Sequence, residues 1–109
     1  MTTAVTMPVT VTPDAAARIA ALGIQPAVER MLEYARRRLP APDRIEITLY
    51  DRYELGDQPG LAIEVYSRRP FDPTDSTDRD LDRWMVAEFP PEVLEHVVVS
   101  HRPGASHAG

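Results

Sequence analysis

The sequence predicts an α+β fold, a two-layer sandwich of ferredoxin-like β-α(α)-β-β-α-β order. It would hold a mainly antiparallel four-stranded sheet with helices on one face. Three observations carry this. Two segments, RIEITLY at 44–50 and LAIEVYSR at 61–68, alternate apolar and polar residues as half-buried strands do. Val28, Met31, Leu32, Ala35 and Leu39 form an apolar stripe at helical spacing. A helical segment separates the second alternating strand from a valine run at 97–99, and such a link calls for a parallel, right-handed crossover. The two short N-terminal helices are counted together as the first crossover.

The elements follow in order. Residues 4–11, AVTMPVTV, put Val5, Met7, Val9 and Val11 on one side, which is strand periodicity. Pro8 cannot donate to a ladder, so this strand belongs at an edge or is frayed. Thr12, Pro13 and Asp14 read as N-cap, first helical position and first-turn acid. That helix carries Ala16, Ile19, Ala20 and Leu22 and stops at Gly23, a residue suited to the left-handed turn after a helix. The second helix opens near Gln25-Pro26 and ends before Pro40 and Pro42. Within it, Glu33 and Arg37 stand one turn apart in the favourable order.

Gly56-Asp57 and Pro59-Gly60 join the alternating strands into a hairpin. Partners across a hairpin must share a face. A register setting Arg44 against Arg68 opposes like charges. One pairing Glu46 with Arg68, Thr48 with Tyr66 and Leu49 with Val65 is preferred, and it implies an odd-length loop centred near Asp57. The third helix should run to about Phe89 with Leu81, Trp84, Met85 and Phe89 on one face, ended by Pro90-Pro91. Glu92–Glu95 reads as one more turn or a connector, and HVVVSH as a buried strand. The domain is expected to span 1–102, with 103–109 a disordered tail.

Composition narrows the function classes. A chain of 109 residues with 43% apolar content suffices for one modest core. There is no cysteine, which excludes disulfides, thiolate metal sites and thiol nucleophiles. No secretory signal and no transmembrane run is visible, and the chain suits the cytoplasm. The net charge is −5, so binding to a phosphate backbone is disfavoured. All 12 basic residues are arginine, which together with abundant Ala and Pro reads as the codon bias of GC-rich bacterial DNA. Residues 9–22, VTVTPDAAARIAAL, resemble the opening of A-type iron–sulfur carrier proteins. Those carriers need cysteine ligands. Their function is not carried over, and no cofactor is expected.

Five aspartates, Asp72, Asp75, Asp78, Asp80 and Asp82, crowd one short segment. Asp78, Asp80 and Asp82 have the spacing of the first ligands of an EF-hand loop. The sixth position is Arg83 instead of Gly, however, and the twelfth is Phe89 instead of Glu. Acids opening a helix is the simpler reading, with Asp75, Ser76 or Thr77 as N-cap. His96, His101 and His107 read as surface or strand-end residues. Arg36-Arg37-Arg38 closes a helix, where cations complement the dipole.

The hairpin face away from the helices is the main candidate site. It would hold Arg44, Glu46, Thr48, Tyr50, Glu64, Tyr66 and Arg68, with Tyr53 at the loop. Tyr and Arg are enriched at interface hot spots. The leading expectation is a non-catalytic protein-binding module of antitoxin, immunity or accessory-subunit type. It would dock a protein partner or form a homo-oligomer through this face. The alternative is a small enzyme or ligand-binding domain using acids from 72–82 and Arg36–Arg38, with a pocket where Asp72 or Asp75 meets arginine. A divalent cation at Asp78, Asp80 and Asp82 is the third expectation.

Overall fold

A computed structural model of the chain describes residues 8–39, 42–50, 59–70, 74 and 76–104. Eight elements follow one another: β1 (Val9–Val11), α1 (Pro13–Leu22), α2 (Gln25–Arg38), β2 (Pro42–Tyr50), β3 (Gly60–Pro70), α3 (Thr77–Glu88), α4 (Pro91–Leu94) and β4 (Val97–Gly104).

The helix ends sit where local chemistry puts them. The extended Thr12 accepts a hydrogen bond from the Ala15 amide at 3.3 Å, and Pro13 fills the first turn. Gly23 closes α1 at φ 68°, a backbone state that costs glycine little. Ala15 and Ile19 face the core, while Ala16 and Ala20 are exposed. The large Ile19 sets the rotation of α1, because an alanine gains little from either side. Val28, Met31, Ala35 and Leu39 are all buried, and Arg37 meets Glu33 at 2.7 Å. Ser76 holds the N-cap position of α3, and α4 is the extra turn.

The sheet departs from expectation. It is a mixed four-stranded sheet in the order β1-β2-β3-β4. β1 runs parallel to β2, β2 antiparallel to β3, and β3 parallel to β4. Parallel pairing across α3 is thus as expected, but a mainly antiparallel sheet is not what forms. The ferredoxin-like pattern is a split βαβ, in which the parallel strands are not neighbours. Here each helical crossover returns its strand beside the one it left, so that pattern is not confirmed. β1 is an edge strand, as Pro8 required. Residues 4–7 of its expected length lie outside the described residues. β4 is the other edge. It was expected to be a buried strand, yet among its described side chains only Val97 is buried and Val98 is 45% exposed. With β3 on one side alone, β4 alternates. It extends to Gly104, and 105–109 lie outside the described residues.

The hairpin register also differs. Ile45 faces Val65, Ile47 faces Ile63, and Leu49 faces Leu61. Thr48 opposes Ala62 rather than Tyr66, and Glu46 opposes Glu64 rather than Arg68. The preferred register would have set Asp51 against Ile63 and Arg69 against Ile45. Burying each aliphatic side chain is worth about 1.5–3 kcal/mol. A cross-strand charge pair is worth at most about 1 kcal/mol, so apolar matching decides. Tyr50 pairs with Gly60, so the connection is odd in length as expected, but its midpoint is residue 55 rather than Asp57.

Odd-numbered strand residues and the helices share one core. Ile45, Ile47, Leu61, Ile63 and Val65 pack in a cluster with Ile19, Val28, Met31, Ala35, Leu81, Met85 and Phe89. Ile63→Ala should cost about 2–5 kcal/mol in chemical denaturation, because it removes a fully buried side chain between two strands. Val86→Ala, at a position 71% exposed, should stay within about 0.5 kcal/mol.

Candidate functional site

The pleat sends the even-numbered residues of β2 and β3 away from the core. Arg44, Glu46, Thr48, Tyr50, Glu64 and Tyr66 therefore share one face, as expected. Between Arg44 and Tyr50, and between Ala62 and Tyr66, none of these even-numbered side chains is buried. Arg68 is exposed beyond an irregularity in the β3–β4 register. Tyr53 lies outside the described residues.

This face is ordered by charge. Arg44 Nε donates to Glu46 Oε2 at 3.0 Å, and its guanidinium lies 3.9 Å from the centre of the Tyr66 ring. The hydrogen bond to Glu46 raises the Arg44 pKa further, so its charge is fixed at any working pH. Arg102 Nε donates to Glu64 Oε2 at 2.9 Å. Each of the two opposed glutamates thus has its own arginine. Arg102 was missed because it is the last residue before the expected tail. Its even position in β4, two residues past Ser100, was the signal that could have placed it.

The acidic segment does not converge. Asp78, Asp80 and Asp82 diverge around α3, and among the described residues no three His, Cys, Asp or Glu side chains form a metal-holding group. Asp78 Oδ1 lies 3.1 Å from Nδ1 of His101. Asp80 Oδ2 accepts from the Ser76 hydroxyl at 3.2 Å. Asp82 is exposed. His101 is not a surface residue. Its odd position turns it to the helix side, where its side chain is 8% exposed. An ionised carboxylate only accepts, so the contact is a hydrogen bond in the tautomer that carries its proton on Nδ1. Among the described residues, the buried Nε2 has no hydrogen-bond partner. Asp72 and Asp75 lie outside the described residues.

A cleft opens where the C-terminal end of α2 meets the first turns of α3. Its cavity is about 330 Å³, lined by Tyr34, Arg38, Thr77, Asp80 and Trp84. Tyr34 stacks on Trp84 with ring centres 4.2 Å apart, and Trp84 meets the edge of Phe89 at 5.2 Å. A second groove of about 220 Å³ continues past Arg30, Glu33 and Arg37. Arg38 and Asp80 thereby bring the arginine run and the acidic segment to one cleft, while the expected Asp72 and Asp75 lie outside the described residues. Burial raises the Tyr34 pKa, with Arg38 opposing and Asp80 adding to the shift.

Comparison with protein-family models, with curated proteins and with solved structures finds no match. Among the described residues, no helix is long and apolar enough to cross a membrane.

A raised phenol pKa stabilises the fold fully below the unfolded value of about 10, and that contribution is lost as pH rises through the higher folded value. Tyr34→Phe should therefore remove a late step from the phenolate absorbance titration. It should also flatten the alkaline loss of stability in denaturation midpoints measured against pH.

Proposed function

We propose that this chain is a non-catalytic binding module that docks a protein partner, or a second copy of itself, through the open face of its sheet. One observation carries the reading: the helices pack against the odd-numbered face alone, and the even-numbered face keeps an ordered Arg, Glu and Tyr array. Tyr and Arg are the residue types that anchor interfaces. Val98, exposed on β4 opposite Ala62, adds apolar area to the same face.

Charge permits contact at this face. Arg44, Arg68 and Arg102 stand with Glu46, Glu64 and Asp43, the last 3.7 Å from Arg44, so three positive and three negative charges balance. The whole chain carries −5. A second acidic copy meets little repulsion at a face with no net charge. A self-complementary face of this kind suits a two-fold dimer. The antitoxin-, immunity- or accessory-subunit-like roles all use such docking.

Light scattering after size exclusion, combined with capture from source lysate, tests the proposal. Val98→Asp and Tyr66→Ser should each weaken self-association, or retention of the captured partner, by at least about tenfold, or about 1.4 kcal/mol. A monomer that retains no protein, or association unchanged by both substitutions, overturns it.

A further inference from the structure

We propose that the cleft between α2 and α3 binds a small zwitterion of the amino-acid type. Arg38 takes the carboxylate, Asp80 takes the ammonium group, and the apolar part lies against Trp84. This goes beyond docking through the sheet, which uses the opposite face of the molecule.

The charges along the two helices carry the argument. Arg30 of α2 pairs with Glu88 of α3. Glu33 takes Arg37 at 2.7 Å and Arg36 at 3.8 Å. These contacts engage Arg30, Arg36 and Arg37 with two carboxylates, so the groove beside the cavity keeps one excess positive charge. Among the described residues, Arg38 has no carboxylate within ion-pair distance, and Asp80 has no cation. Asp80 is oriented instead by the Ser76 hydroxyl, 3.2 Å away. Among the described residues, the cavity therefore presents one cation and one anion, neither of them in an ion pair.

That pattern selects a ligand carrying both signs. A lone anion would satisfy Arg38 and meet Asp80. A lone cation would satisfy Asp80 and meet Arg38, with Arg37 in the adjoining groove. A carboxylate suits the guanidinium fork, which binds it through two parallel hydrogen bonds. The stacked Tyr34–Trp84 pair supplies the apolar wall. Burial keeps the Tyr34 hydroxyl protonated, so it adds no charge. A cavity of about 330 Å³ lies at the small end of the usual range for ligand pockets, about 300–1,000 Å³. It fits a single amino acid rather than a drug-sized molecule.

Trp84 is the one tryptophan in the sequence, so its fluorescence reads the cleft directly. The probes are L-phenylalanine, 2-phenylethylamine and 3-phenylpropionate, which do not absorb at the red edge of tryptophan absorption. They share a ring and differ in which charges they carry. L-Phenylalanine should change the Trp84 emission saturably within the millimolar range. Each single-charge analogue should bind at least about tenfold more weakly. Arg38→Ala and Asp80→Asn should each weaken L-phenylalanine binding by about tenfold or more, with the far-ultraviolet circular dichroism unchanged. Should Asp80→Asn loosen the first turn of α3, Arg38→Ala at the exposed end of α2 carries the test alone. The proposal is overturned if neither L-phenylalanine nor L-leucine gives a saturable change. It is equally overturned if either analogue binds as well as L-phenylalanine, or if Arg38→Ala binds it as the unaltered chain does.

Discussion

The whole molecule hangs on the alignment of three aliphatic pairs across β2 and β3: Ile45 with Val65, Ile47 with Ile63, and Leu49 with Leu61. A slip of one residue along either strand would turn an entire apolar row to water. A slip of two would keep the faces but break the matching and set charged residues against aliphatic ones. The helices then have only one surface to cover. Val28, Met31 and Ala35 of α2, and Leu81 and Met85 of α3, all close on that row.

This alignment has an electrostatic cost, and the sheet meets it locally. It places Glu46 opposite Glu64. Like charges directly opposed are unfavourable by at most about 1 kcal/mol, well below the burial gained by the aliphatic pairs. Arg44 on β2 and Arg102 on β4 then supply one cation to each glutamate. The charged array of the open face is thus a by-product of core matching. Its arginines are held in place by carboxylates that the core forced together.

What was legible in the sequence was mostly local. Thr12, Pro13 and Gly23 mark the ends of α1 because capping depends on a few neighbouring residues. The stripe of α2 and the face of α3 were legible for the same reason. The even-numbered residues of the hairpin were assigned to one face correctly, since parity survives an error in register. The register itself was misjudged because charge pairs were weighed above apolar matching. The pairing partner of β1 was not legible, because element order says which strands exist and not which edges they join. His101 and Asp78 are 23 positions apart, and only tertiary packing brings them to 3.1 Å. Arg38 and Asp80 come together in the same way. The sequence suggested that arginine would meet an acid at Asp72 or Asp75, which lie outside the described residues, and did not point to Asp80.

The strand order has one more consequence. Each parallel pair is made by a single stretch of chain that leaves a strand, passes through two helices and returns alongside: β1-α1-α2-β2, then β3-α3-α4-β4. The chain is thus two βααβ modules of like build, placed head to tail and joined down the middle by the antiparallel β2–β3 seam. Within a module, pairing needs only the closure of its own crossover. The seam has to bring the two together, so the domain acquires a single cooperative core only once that central zipper closes.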